Sequence, residues 1–126
     1  MKIKTNELIG PALDWAVAKC ERLEIYQIWK DVINVTIERH FISYTPSTSW
    51  VQGGPIVDRE VLANGLRIGR KTVGALQFSC YAEYQGHMWE QCRMYYGPTP
   101  LIAAMRCYVA SKLGNEVDVP EELVNE

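Results

Sequence analysis

The sequence has 126 residues, close to the length of one average domain, so a single domain is expected. Apolar residues make up 48% and charged residues 22%, which excludes a wholly disordered chain. The formal net charge is −2, which argues against nucleic-acid binding driven by overall charge. No apolar run reaches the roughly 18 residues of a membrane span, and no secretory signal pattern opens the chain. We therefore expect a cytoplasmic protein that does not bind membranes.

The N-terminal residues predict a short edge strand followed by a helix. Lys2 to Thr5 alternate in character, and lysines on an edge strand discourage pairing with other chains. Pro11 suits a first helical position, because it lacks the N–H that would have no partner there. Apolar side chains then recur at helical spacing and form one stripe: Leu13, Ala16, Val17 and Cys20. We expect a helix over about 10–22.

Residues 23–44 are rich in β-branched and aromatic side chains and predict strands. Alternate residues give one apolar side, which we expect to be buried: Ile33, Val35, Ile37 and Phe41. Lys30 and Asp31 form the expected turn before this strand. His40 falls on the polar side, so we expect it to face solvent.

The central residues 45–57 have no helical or strand period. Two prolines, two glycines and four hydroxyl residues predict a long structured loop, with Trp50 in its middle. Residues 58–65 are compatible with a helical turn that ends at Gly65. Thr72 to Tyr84 is predicted to be a strand, with Met88 to Tyr96 as its hairpin partner.

The last helix is the clearest element of the sequence. Thr99 can cap it, Pro100 can open it and Gly114 can end it. An apolar stripe runs through it: Ile102, Met105, Val109 and Leu113. Together these patterns predict an α+β fold, with an antiparallel sheet flanked by two helices at about 10–22 and 99–114.

The C-terminal segment 115–126 is acidic. It carries five acids and no base, so the preceding 114 residues have 13 basic and 10 acidic side chains, a net charge of +3. A solvated, loosely ordered tail is the first interpretation. The alternative is that the tail docks on the basic cluster of Arg67, Arg70 and Lys71, and the sequence does not choose between them.

The cysteines and histidines do not predict a metal site. Cys20, Cys80, Cys92 and Cys107 are expected to be reduced in a chain without an export signal. Zinc sites need close ligand pairs, whereas the nearest spacing here separates His87 from Cys92 by four residues. We expect neither a metal nor a cofactor.

The sequence contains no complete catalytic constellation. Residues 65–72 resemble a phosphate-binding loop, but Arg70 stands where that loop needs glycine directly before the lysine. No nucleophile elbow and no zinc-protease motif occur. Cys92 with His87 lacks a third, orienting group. A non-enzymatic protein is therefore the favoured interpretation, although the enzyme question stays open.

Three blocks of the chain resemble one known family. They are Met1 to Thr5 with Leu13 to Glu21, then Tyr44 to Ile56, then Gly97 to Gly114 with the following Val119 to Leu123. These blocks are similar to the NinX-like family of small proteins of lambdoid phages and enteric prophages, which is catalogued as a domain of unknown function. The resemblance implies an accessory protein acting inside an infected or lysogenic bacterium. It implies no activity and supplies no catalytic residues.

Three functions remain open from the sequence. The first is binding of a host or phage protein, and the second is a small enzyme or ligand-binding domain with a pocket between residues 44–57 and the start of the last helix. Nucleic-acid binding through Arg67, Arg70 and Lys71 is the weakest, and self-association stays open. The candidate binding residues lie in the central block and at the last helix: Tyr44, Ser47, Thr48, Trp50, Gln52, Gly53, Gly54 and Thr99.

Overall fold

The structure is a computed structural model that describes residues 1–28, 32–70, 80–84 and 94–124. Within these ranges the chain forms three α-helices: α1 (Pro11–Cys20), α2 (Trp50–Asn64) and α3 (Pro100–Leu113). The same ranges contain eight strands: β1 (Lys2–Lys4), β2 (Glu24–Ile28), β3 (Ile33–Ile37), β4 (His40–Tyr44), β5 (Leu66–Arg70), β6 (Cys80–Tyr84), β7 (Tyr95–Gly97) and β8 (Glu116–Asp118). These elements confirm the predicted α+β class. The predicted strand over 72–79 and the predicted turn at Lys30 and Asp31 lie outside the described residues.

The described strands pair antiparallel in three small sheets, not in the single sheet that the sequence suggests. The sheets are β1–β8, β2–β3–β4 and β5–β6–β7. Two of these sheets pack against the same helix: β5, β6, β7 and β8 contact α3, whereas β3 contacts α1.

Helix α3 forms the centre of the core. Every residue from Leu101 to Val109 is buried, including Arg106 and Tyr108, whereas Leu113 is exposed. A helix that is buried on all sides packs against neighbours all around it. Thr99 caps α3 as predicted, because its Oγ1 accepts a hydrogen bond of 3.1 Å from the Ile102 N–H.

The prediction of a loop over 45–57 is wrong, because residues 50–57 form the first half of α2. The glycines that suggested a loop instead allow close packing. A Cβ built on Gly53 would lie 2.3 Å from the Pro46 carbonyl oxygen and 2.8 Å from Leu101 Cδ1. Packing against α3 therefore outweighs the low helix propensity of Gly53 and Pro55. The helix ends at Gly65, in the left-handed conformation that the sequence suggested.

A two-residue turn at Glu38 and Arg39 separates β3 from β4. Both residues have positive φ, 50° and 71°, as in the turns that favour tight hairpins. The turn reverses the chain, so Phe41 faces away from Val35 and is 64% exposed. The prediction that Phe41 shares the buried side is therefore wrong, since it assumed one continuous strand. His40 is exposed, as expected.

The start of the acidic segment 115–126 is part of the fold. Strand β8 pairs with β1 in the register Lys2 to Asp118 and Lys4 to Glu116, which places opposite charges across the two strands. Val117 and Val119 are buried. Residues 116–119 thus differ from the loosely ordered tail expected from charge, and they lie against β1.

Candidate functional site

A cleft of about 340 Å³ lies between the β3–β4 hairpin, the end of α1 and the first half of α2. Its walls are mostly aliphatic, which favours an apolar occupant. The lining residues are Glu21, Leu23, Ile37, Ile42, Tyr44, Gln52, Pro55, Ile56 and Arg59. Two of the sequence-derived candidates, Tyr44 and Gln52, are therefore side by side in this cleft.

An ion pair at one side of the cleft joins the end of α1 to α2. Arg59 donates two hydrogen bonds to Glu21, Nη1 to Oε1 at 3.1 Å and Nη2 to Oε2 at 2.7 Å. Tyr108 on α3 donates its hydroxyl proton to Glu21 Oε2 and lies under the guanidinium, 5.6 Å from ring centroid to Cζ. Three helices thus meet at one group of polar side chains.

The same guanidinium continues the polar network into the interior. Arg59 Nε donates to Glu60 Oε2 at 3.2 Å, and Glu60 is buried. The other Glu60 oxygen accepts from the Tyr84 hydroxyl at 2.8 Å and from Asn64 Nδ2 at 3.0 Å. These bonds satisfy the buried carboxylate, so Glu60 serves packing and not chemistry.

Glu21 and Tyr108 keep their usual charge states in this network. Burial raises the pKa of Glu21, but hydrogen bonds from Arg59 and Tyr108 outweigh it, so the pKa lies below its usual value. Burial and the bond to Glu21 raise the pKa of Tyr108. Glu21 is therefore an anion at neutral pH and Tyr108 a neutral donor, and neither is suited to act as a general base or acid.

Gln52 is also engaged within the chain. Its Oε1 accepts from the Thr45 N–H at 2.6 Å, and its Nε2 donates to the Ser43 carbonyl oxygen at 2.8 Å. The Tyr44 hydroxyl, in contrast, has no hydrogen-bond partner among the described residues. Burial raises the pKa of Tyr44, so at neutral pH the hydroxyl keeps its proton as a donor beside the aliphatic walls.

The other candidates from the sequence lie apart from the cleft. Ser47 is buried, and its N–H donates to Asp14 Oδ1 at 2.8 Å. Thr48 and Trp50 are exposed, and Gly54 is partly exposed next to the Trp50 ring. Thr99 does not line the cleft, and its hydroxyl accepts from α3 instead. The central block and the last helix do approach each other, at Gly53 and Leu101.

Asp14 and Ser47 form a buried polar pair between α1 and the turn before α2. Burial raises the pKa of Asp14 to about 6, and the bond from Ser47 offsets only part of that effect. The Ser47 Oγ has no hydrogen-bond partner among the described residues. The bond from the Ser47 N–H to Asp14 fixes this turn against α1.

A second cavity, of about 590 Å³, lies where β7 approaches β1 and β8. Its lining is mixed in polarity: Lys4, Asn6, Met94, Tyr95, Asn115 and Glu116. The Tyr95 hydroxyl donates to Asn115 Oδ1 at 2.5 Å, and Asn6 Oδ1 accepts from the Tyr96 N–H at 3.1 Å. The described side chains here hold strands together, so this cavity is the weaker site candidate.

The described residues do not assemble a metal site, and they include only part of the predicted basic cluster. They contain no group of three or more His, Cys, Asp or Glu side chains placed to hold an ion. Arg67 is paired with Glu83, and Lys71, His87 and Cys92 lie outside the described residues. Burial and the charge of Glu21 raise the pKa of Cys20 to about 12, so its thiol is a poor nucleophile at neutral pH.

Sequence reasoning missed the ion pair and most of the aliphatic walls of the cleft. Glu21 and Arg59 are 38 positions apart, and each belongs to an ordinary charged stretch. No local spacing distinguishes a pair formed between two helices that pack together only in the tertiary fold. The sequence did offer one usable signal. Leu23, Ile37 and Ile42 are apolar side chains in addition to those that the core needs.

Comparison with known proteins assigns the chain to a phage family. Among the described residues, no helix combines the length and apolar character needed to cross a bilayer. A search of curated proteins gave no match. A family model described as "Bacteriophage P22, NinX" matches residues 4–112, which is most of the chain. The chain therefore belongs to this NinX family of phage proteins.

Proposed function

We propose that the chain is a phage accessory protein that binds a partner protein without catalysing a reaction, and that the cleft holds an apolar side chain of that partner. Family membership supports a phage accessory role. The binding mode is inferred from the cleft. One observation carries it: the charged and amide groups of the cleft are bonded to each other or to the backbone, and its remaining walls are aliphatic apart from Tyr44.

The surface beside the cleft favours a protein over a small molecule. Pro55 lines the cleft and is itself exposed. Apolar surface continues from Pro55 along one side of α2. The exposed residues Val51 and Leu62 lie on the same side of the helix as Pro55, at intervals of four and seven positions, with the exposed Asp58 between Pro55 and Leu62. Exposed apolar surface that continues from a cleft is typical of protein interaction sites.

Affinity capture from phage-infected cells tests the proposal with two matched variants. Ile42→Glu places a charge in the cleft, whereas Ser43→Glu places the same charge on the adjacent, exposed residue of the opposite sheet face. We expect wild type and Ser43→Glu to retain the same protein, and Ile42→Glu to lose at least about ten-fold of it. Circular dichroism checks that both variants fold.

Two results would contradict the proposal. One is equal capture of that protein by folded Ile42→Glu. The other is release of a stoichiometric small molecule from denatured wild-type protein, detected by mass spectrometry and missing from Ile42→Glu. That result favours the small-molecule alternative.

A further inference from the structure

Strand β4 is an edge of the β2–β3–β4 sheet, and no described strand pairs with its outer side. The turn at Glu38 and Arg39 makes Ile37 and His40 the first hydrogen-bonded pair of the hairpin. Bonded and non-bonded pairs alternate along an antiparallel ladder, so the backbone groups of Phe41 and Ser43 point away from β3. The bond from Gln52 to the Ser43 carbonyl oxygen, on the outer edge, agrees with this alternation.

The free part of this edge is short and is centred on Phe41. Gln52 occupies the Ser43 carbonyl and the Thr45 N–H, which protects the second half of the edge. In the described structure nothing bonds the outward N–H and C=O of Phe41. Two other edges are interrupted: β2 has an irregularity between Ile25 and Gln27, and Asn6 occupies the Tyr96 N–H of β7.

Exposed aromatic rings lie beside the free backbone groups. The rings of Tyr26 and Phe41 stack with centroids 4.1 Å apart, and the two residues are 55% and 64% exposed. An intramolecular stack leaves one face of each ring available. A strand that joins the edge at Phe41 would cover part of this apolar surface.

We propose that β4 pairs antiparallel with β4 of a second copy, across a two-fold axis at Phe41. A residue on such an axis donates its N–H to its own counterpart and accepts in return, so both free groups of Phe41 are satisfied. In this register Arg39 faces Ser43 and His40 faces Ile42 of the other copy, so no like charges oppose each other. Because Gln52 keeps the Ser43 carbonyl oxygen, the pairing is confined to the two backbone bonds between the Phe41 residues, and four aromatic rings lie around this contact.

The proposal does not rest on the proposed function, and it is tested with the purified protein alone. Sedimentation equilibrium from about 5 µM to about 500 µM is expected to give a monomer–dimer equilibrium for the wild type, because the paired edge is short. Phe41→Pro removes the outward N–H but leaves the β3–β4 ladder intact, so it is expected to be monomeric. The matched control Phe41→Val keeps the N–H and is expected to dimerise, at least a few-fold more weakly.

Amide hydrogen exchange gives a second measurement that needs no variant. The Phe41 amide of the wild type is expected to exchange several-fold more slowly at the high concentration than at the low one. A wild type that is monomeric at every concentration would overturn the proposal. So would a folded Phe41→Pro that dimerises like the wild type, or exchange of the Phe41 amide that does not depend on concentration.

Discussion

At the scale of residues, the buried Asp14 makes stability depend on pH. Its folded pKa of about 6 lies above the ordinary value of 3.8, so the folded state holds this proton more tightly than the unfolded state. The contribution of Asp14 to the free energy of unfolding is therefore highest below about pH 4 and falls as the pH rises to about 6. Two units of pKa correspond to about 3 kcal/mol at pH 7.

Asp14→Asn is expected to remove this dependence. The amide oxygen keeps the hydrogen bond from the Ser47 N–H, and the amide group carries no charge to desolvate. Urea unfolding at pH 4, 5, 6 and 7 should show the variant gaining on the wild type, by up to about 3 kcal/mol at pH 7. An equal decline of the two proteins across this range would show that Asp14 is not the group responsible.

Individual residues also show what could be predicted from the sequence. The cap at Thr99 depends on one side chain and the adjacent backbone, so local sequence was sufficient to predict it. Gly53 depends on Pro46 and Leu101, which approach it only in the folded chain. Gly53 therefore suggested a loop in the sequence, whereas in the structure it allows a close contact between two helices.

At the scale of elements, β8 is expected to be required for stability despite its acidic sequence. Truncation after Gly114 removes the partner strand of β1 and the buried side chains of Val117 and Val119. Burial of each valine contributes roughly 1.5 kcal/mol or more, so we expect a loss of about 3 kcal/mol. Thermal unfolding of the truncated chain measures it.

Truncation after Pro120 is the control for this experiment. It removes three glutamates and the partly buried Leu123 and Val124 but keeps β8. We expect a loss of about 1 kcal/mol or less. Equal losses in the two truncated chains would indicate that the final residues, and not β8, stabilise the fold.

Elements with their own start and stop signals were predictable, and those that depend on partners were not. Helices α1 and α3 begin at Pro11 and Pro100, as the sequence suggested. Helix α2 contains Pro55, and its contacts with α3 and β5 support the helix despite this residue. The turn at Glu38 and Arg39 lacks the glycine or asparagine that usually marks it. Because no such residue marks the turn, the sequence predicted neither the hairpin nor the exposure of Phe41.

At the scale of the whole molecule, the cleft arises where three separately stabilised parts meet. The hairpin supplies Ile37 and Ile42, α1 supplies Glu21, and α2 supplies Arg59. Since no one part contains a motif, composition and spacing identify the candidate block around Tyr44 and Gln52 but not its neighbours. Glu21 and Arg59 are distant in sequence, so only the folded structure shows that these two polar groups pair with each other.

Arg106 connects the N-terminal segment, β7 and α3 in the same way. It is buried, and its Nε donates to the Leu8 carbonyl at 2.8 Å while its Nη1 donates to the Tyr96 carbonyl at 2.7 Å. Burial lowers its pKa, so the guanidinium stays charged only at a cost that these bonds offset. Arg106→Ala removes the donor to the buried Leu8 carbonyl and to the partly buried Tyr96 carbonyl and leaves a void in the core, so we expect it to lose about 4 kcal/mol of stability.

Arg106→Lys separates the role of the charge from that of the two directed bonds. A lysine keeps the positive charge but cannot reach two carbonyls with the planar geometry of a guanidinium, so we expect it to restore less than half of the lost stability. Arg106→Met fills the void without a donor and should behave much like the lysine variant. Urea unfolding of the three variants compares them. Full recovery in Arg106→Lys would mean that charge, rather than the bonds to Leu8 and Tyr96, holds these three parts of the molecule together.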